Sequence, residues 1–171
     1  MTLQPPAGLL VRRARTADVP TIRALVDLYS SDRILLSKAT VTLYEDVQEF
    51  FVAELDGRVG GCGALHVLWD DLAEVRTLAS HPDVRGRGVG SALLDRLVEQ
   101  ARAIGVQRLF CLTFEVDFFA RHGFEVIEGA PVPVDVYEEL LQSYDEGVAE
   151  FLDLERVKPN TLGNTRMLRH L

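Results

Sequence analysis

The stretch Arg85-Gly86-Arg87-Gly88-Val89-Gly90 has the residue types and spacing that point most directly to chemistry. Its glycines let the backbone curl until successive N–H groups converge on one point. The helical pattern that follows adds the positive end of its dipole. Such a loop holds phosphate or pyrophosphate, and Arg85 and Arg87 contribute charge. It is not a P-loop, because Gly-Lys-Ser/Thr is absent from the chain. A dinucleotide fingerprint also fails. With Gly86 and Gly88 as its first two glycines, position 91 is a serine, and the preceding strands read as an antiparallel meander rather than a βαβ unit. An acyl-CoA loop is the reading that remains.

The other reactive residue types suggest less. Cys62 and Cys111 lie inside apolar runs, too few for a disulfide framework and without a C-x-x-C, so they read as buried thiols in a reducing compartment. His66, His81, His122 and His170 show no H-x-x-x-H, and Cys62-x-x-x-His66 by itself makes no zinc site. No metal is expected.

The 171 residues fit one domain, 1–171, with residues 1–9 a flexible tail and 131–171 a C-terminal helix and edge strand. A net charge of −8 argues against a nucleic-acid partner, so an anionic ligand must be held by local basic groups and backbone amides. Neither a signal peptide nor an apolar run of ~20 residues is visible, which leaves the cytoplasm as the expected location and no membrane partner.

Periodicity supplies the elements that must position the loop. Leu10–Ala14 reads as a strand. A helix capped by Thr16 follows, with Val19, Ile22, Leu25, Val26 and Tyr29 on one face. After a loop over Ser30–Ser37, a short helix covers about Val41–Phe50. Phe50–Leu55 and Val59–Trp69 form a hairpin about Asp56-Gly57, and Leu72–Ser80 continues the meander until Pro82 ends it. From Gly88 a helix places Val89, Leu93, Leu97 and Ala101 on one face and closes at Gly105. Then come strand Val106–Thr113, helix Asp117–His122 and strand Phe124–Glu128. A long helix with Val136, Leu140, Tyr144 and Val148 in register follows. An irregular Lys158–Asn164 segment and edge strand Thr165–Leu171 complete the chain. The order implies an α/β (α+β) domain with a mixed, mostly antiparallel sheet flanked by helices, not a doubly wound one.

With the elements in that order, Arg85–Gly90 resembles the Gln/Arg-x-x-Gly-x-Gly/Ala motif of GNAT N-acetyltransferases. His81-Pro82 before it and Phe119-x-x-x-Gly123-Phe124 after it resemble that family too. The resemblance implies the GNAT fold, with acetyl-CoA as co-substrate. The backbone of Gly86, Arg87, Gly88, Val89, Gly90 and Ser91 would hold the pyrophosphate. The main chain of Leu78, Ala79 and Ser80 would pair with pantetheine, and an N–H near Leu78 would meet the oxyanion.

Leu35-Leu36-Ser37-Lys38, Phe50–Glu54, Gly61–Leu65 and Glu74–Leu78 further resemble the acetyltransferase domain of N-acetylglutamate synthases. That family usually reads Leu-Leu-Pro-Arg where Leu35–Lys38 stands here. The likeness is to the short stand-alone actinobacterial form, which acts on glutamate or glutamine in arginine biosynthesis. Ser143–Leu154 and Lys158-Pro159-Asn160 resemble that form in particular. The kinase domain of the long form would have no room here. By this resemblance Glu74 is the general base and Lys38 binds the α-carboxylate, with Arg76, Asn164 and Arg166 as further acceptor-binding residues.

The tyrosine that many GNAT enzymes use to protonate the leaving thiolate is absent from Val116-Asp117-Phe118-Phe119; Tyr144 or Thr113 could serve, or the thiolate leaves as an anion. Two alternatives stay open. One is acetylation of a different amine, such as a peptide N-terminus, polyamine or aminoglycoside; the other is a non-catalytic acyl-CoA-binding module. A homodimer through the C-terminal helix is a further expectation.

Overall fold

The computed structural model describes residues 6–30, 38–161 and 163–171. The expected Ser30–Ser37 loop, including Leu35, Leu36 and Ser37, therefore lies outside the described residues beyond Ser30. Two compact units are present, 1–66 with 75–104 and 67–74 with 105–171.

In the first unit β1 (Leu9–Arg13) leads through a 3-10 turn into α1 (Val19–Ser30) and α2 (Thr40–Glu45). A second 3-10 turn, Val47–Glu49, enters β2 (Phe50–Leu55), followed by β3 (Arg58–Trp69), β4 (Leu72–Ser80) and α3 (Val89–Ala103). Asp56 and Gly57 both take positive φ, 53° and 79°, which is the two-residue turn the Asp-Gly pair demands. The core of this unit packs Val19, Ile22, Leu25 and Val26 of α1 against Leu43, Phe50, Val52, Cys62 and Ala64.

The second unit carries β5 (Arg108–Thr113), α4 (Val116–Arg121), β6 (Glu125–Val126), α5 (Val134–Leu140), α6 (Glu146–Phe151), α7 (Lys158–Thr161) and β7 (Thr165–His170). Its core joins Leu72, Phe110 and Leu168 to Leu140, Val148 and Phe151. Among the described residues the strands form one seven-stranded sheet in the order β1-β2-β3-β4-β5-β7-β6. The β4–β5 pairing, Leu72–Glu74 against Arg108–Phe110, is parallel, whereas β1–β2, β2–β3, β5–β7 and β6–β7 are antiparallel. The mixed sheet expected from the sequence is therefore present, and it is not doubly wound.

Several local expectations are corrected. Thr16 does not cap a helix; the Asp18 carboxylate takes the Arg15 N–H at 2.7 Å, and a 3-10 turn precedes α1. The second helix stops at Glu45 and tightens into 3-10 form. The long C-terminal helix is two helices. Asp145 caps α6 by accepting the Val148 N–H at 3.1 Å, and the Ser143 hydroxyl accepts the Asp145 N–H. These local bonds outcompete helix continuation, and Tyr144 is left fully exposed. Thr165–His170 is no edge strand. It pairs with β5 over six residues and with β6 on its other side. Within the supposed tail, Leu9 donates to the Pro6 carbonyl and Asp56 to that of Gly8, so residues 6–9 form a defined turn.

Packing of α3 on β3 depends on missing side chains. A Cβ on Gly61 would lie 2.7 Å from Val89 Cγ1 and 3.2 Å from the Ala79 carbonyl oxygen, and one on Gly63 2.9 Å from Leu78. Helix α3 therefore sits nearer the strand than any other residue would permit, which fixes where its N-terminus emerges. Gly61→Ala should destabilise the protein by about 1–3 kcal/mol, read as a lowered urea midpoint at unchanged m-value.

Candidate active site

The loop before α3 has the form its glycines foretell. Gly86 and Gly88 take φ of 75° and 78°, and Gly88 is the helix N-cap in left-handed conformation. The first helical bond is Ala92 N–H to the Gly88 carbonyl at 3.0 Å, and no side chain caps the helix. The amides of the first turn therefore have no intrahelical acceptor, and residues 85–88 around them are exposed. Arg87 reaches Asp56 only at 3.8 Å, with both side chains largely in solvent, so its guanidinium can turn to an anion at little cost. This arrangement suits a pyrophosphate.

Strand β4 carries Glu74, buried at 4% exposure, and Arg76, half-buried two residues on. Thr77 between Arg76 and Leu78 takes φ 56°, the left-handed region that a β-branched residue adopts only under strain. Its carbonyl accepts the Cys62 thiol at 3.5 Å. Further along, the Tyr29 hydroxyl donates to the Ser80 carbonyl, and the His81 N–H to that of Gly60 at 2.7 Å. Burial pushes the Cys62 thiol up to about 12 and that of Cys111 well above its ordinary value. Neither is a thiolate nucleophile at neutral pH.

In the first unit the fields of Lys38 and Arg76 both act on Asp46, a residue the sequence reading did not single out. Asp46 ends α2, and its carbonyl takes the Glu49 N–H at 2.9 Å, placing two acidic residues on one 3-10 turn. Glu49 Oε1 pairs with His66 Nδ1 on β3 at 2.8 Å, while Glu49 Oε2 is buried without a hydrogen-bond partner. The Asp46 carboxyl is held above the usual carboxylate range, first by burial and then by Glu49, against the opposing fields of Lys38, His66 and Arg76. Lys38 is itself anchored through its carbonyl, which accepts Arg23 Nη1. The signal for this cluster was confined to one i, i+3 acidic pair, and His66 was weighed only as a metal ligand.

In the second unit Arg166 lies over the Phe110 ring at 5.6 Å and donates to the carbonyls of Gly129, Glu150 and Phe151. Among the described residues no carboxylate lies within ion-pair distance of it, and burial lowers its pKa. Two of its five N–H groups remain beyond those three bonds. Asn164 follows the last helix, its N–H bonded to the Thr161 carbonyl at 3.0 Å. The Thr113 hydroxyl accepts the Glu115 N–H at 2.8 Å. Among the described residues no cluster of three or more His, Cys, Asp or Glu is arranged to hold a metal ion.

Residues 22–124 match the family described as Acetyltransferase (GNAT) family, and the chain belongs to it. Within that family, the Amino-acid acetyltransferase of Mycobacterium tuberculosis (strain ATCC 25618 / H37Rv) is 62% identical over 162 residues, covering 93% of this chain and 92% of that protein. The crystal structure of Rv2747 from Mycobacterium tuberculosis, in complex with CoA and NLQ, superposes with a TM-score of 0.91 at 61% identity over 95% of this chain and 99% of that one. The N-acetylglutamate synthase of Neisseria gonorrhoeae, complexed with coenzyme A and N-acetyl-glutamate, gives 0.77 at 27% identity; 96% of this chain is matched but only 35% of that chain.

The environment of Asp46 has a consequence for stability. A carboxyl raised in the folded state contributes stability below its unfolded value of about 3.9, and that contribution is lost as pH rises through the folded value. Asp46→Asn should therefore raise the thermal midpoint at pH 7, with the gain vanishing near pH 3, as followed by scanning fluorimetry across pH.

Proposed function

We propose that this protein transfers the acetyl group of acetyl-CoA to the α-amine of L-glutamate or L-glutamine, the first step of arginine biosynthesis, by direct attack in a ternary complex. The observation that carries this reading is the 62% identity to an Amino-acid acetyltransferase along nearly the whole of both chains. The geometry of each unit supports it.

Acetyl-CoA supplies an activated thioester. The first-turn amides of Gly88, Val89, Gly90 and Ser91, with the Gly86 and Arg87 backbone and the Arg85 and Arg87 side chains, would hold its pyrophosphate. The main chain of Leu78, Ala79 and Ser80 would align the pantetheine arm. Glu74 takes a proton from the acceptor ammonium, directly or through water, freeing the lone pair that attacks the thioester carbonyl. The N–C bond forms, the C–S bond breaks, and the second proton of the nitrogen passes to the departing thiolate or to solvent. The thiol, of ordinary pKa ~8.5, is a tolerable leaving group without a dedicated acid. Fully exposed Tyr144 is poorly suited to be one, and the Thr113 hydroxyl is already committed to Glu115.

Lys38 and Arg76 supply positive charge for acceptor carboxylates in the first unit. In the second, Arg166 offers a guanidinium held by carbonyls and aromatic contact but not neutralised by a described carboxylate, and Asn164 is assigned to the acceptor's side chain. On the same reading the enzyme works in the cytoplasm. None of the described helices is long and apolar enough to cross a membrane.

Purified protein should release free thiol from acetyl-CoA with glutamate or glutamine and not with lysine, spermidine or a short peptide. Glu74→Gln should cut kcat by about 10²–10⁴. Turnover with cationic amines alone would overturn the acceptor assignment. The exposed apolar residues Val134, Leu141 and Tyr144 offer a surface for a homodimer, and sedimentation velocity should then give about twice the monomer mass of 19.0 kDa.

A further inference from the structure

An N–H that meets a developing oxyanion is useful only when it is already aimed before the charge appears. The carbonyl of one residue and the N–H of the next share a rigid plane and point opposite ways. Whatever holds the carbonyl therefore aims the N–H. At the Thr77–Leu78 peptide of β4 a side chain holds that carbonyl. The Cys62 thiol of β3 donates to the Thr77 oxygen at 3.5 Å.

Strand geometry alone does not orient this peptide. Thr77 takes φ of 56°, whereas a regular strand requires negative φ. A β-branched residue stays in that conformation only where its surroundings over-determine it. In Gly61-Cys62-Gly63 the cysteine alone carries a side chain. The bare glycines let β3 lie close to this part of β4: a Cβ on Gly61 would stand 3.2 Å from the Ala79 carbonyl oxygen, and one on Gly63 2.9 Å from Leu78 Cδ1. Cys62 and Thr77 are both buried, and Cys62 shares a core cluster with Val52, Ala64 and Ala79. Water is therefore poorly placed to replace a lost donor. A thiolate could not donate, but burial pushes the Cys62 thiol up to about 12, so its proton is present across the neutral range.

Resting on the reading that the Leu78 N–H meets the oxyanion, we infer that Cys62 is a positioning residue for acetyl transfer, whose S–H holds the Thr77 carbonyl and so aims the Leu78 N–H. It acts through the peptide and forms no covalent intermediate. A donor on the carbonyl also polarises the amide it belongs to, which strengthens the N–H as charge develops opposite it.

The test is the single-turnover rate of acetyl transfer to glutamate or glutamine in full-length wild type and Cys62→Ala, measured beside the Kd for acetyl-CoA. Removing an oxyanion donor outright costs about 10²–10³ in rate, and loosening its aim should cost about tenfold. The Kd should not change, because the oxyanion exists only along the reaction path. Cys62→Val also lacks a donor but is larger than cysteine where alanine is smaller, and it should be slowed to the same extent. Cys62→Ser keeps a donor and should be faster than either. The ratio of wild-type to alanine rates should stay constant from about pH 6 to 9, since the thiol does not titrate there.

An unchanged rate in Cys62→Ala would overturn the inference. So would a loss confined to acetyl-CoA affinity, a serine variant no faster than alanine, or a ratio that follows a titration. A loss in valine but not in alanine would mark crowding and overturn it equally. Should the alanine variant fail to fold, Cys62→Val against Cys62→Ser decides by the same criteria. Wild-type protein that acetylates neither amino acid would overturn the function proposed above and this inference with it, whereas an active wild type with an unaltered alanine variant removes the inference alone.

Discussion

The first turn of α3 is held in place by the absence of atoms. Gly61 and Gly63 leave β3 bare, and Val89, Leu93, Leu97 and Leu78 fill the space where their side chains would be. Close packing of this kind is unforgiving, because a dense interior transmits a displaced methyl group to everything beyond it. The helix start therefore stands at a fixed place and angle, with Gly88 in the left-handed conformation ahead of it. Unbonded amides there are useful only if they are stationary, since their value to an anion lies in being aligned before it arrives.

The charged residues of the first unit separate into two kinds of environment. Arg12 bridges Asp18 at 2.8 Å and Glu54 at 2.7 Å, and the Asp18 carboxyl is held below the usual range chiefly by its hydrogen bond from Arg12. That is a paired network, complete within itself, which ties β1 to the entry of α1. Asp46 shows the opposite shift, because desolvation and a neighbouring carboxylate outweigh three basic groups. Groups that the fold satisfies are structural. A group left with an unfavourable charge beside basic residues is where a ligand has work to do.

Backbone strain follows the same division. Thr77 is one of three non-glycine residues with positive φ among those described, and the other two, Asp56 and Asp153, are of a type that tolerates it. At Thr77 this strained φ falls within β4 immediately before Leu78, near which we propose the N–H that meets the oxyanion. Its carbonyl is met by the buried Cys62 thiol. The cysteine that could be mistaken for a nucleophile is a weak donor satisfying a displaced carbonyl.

Much of this was legible in the sequence. The periods of β2, β4 and α3, the Asp56-Gly57 turn and the Gly86–Gly90 loop are each specified by neighbours along the chain, so residue type and spacing suffice to place them. The C-terminal region misled, because Val136, Leu140, Tyr144 and Val148 repeat as one helix would. The Ser143 and Asp145 side chains break that helix through bonds no hydrophobic pattern records. Strand β7 appeared to lie at an edge because nothing in a strand's own residues states what pairs on its far side; pairing with both β5 and β6 decided it. Residue types and motifs likewise nominated Glu74, Lys38 and Arg76 one at a time. That Glu49 meets His66 depends on the register of β2 against β3, which joins positions well apart in the chain. Local chemistry is written in the order of residues, but the field that a charge experiences is set by which strands lie side by side.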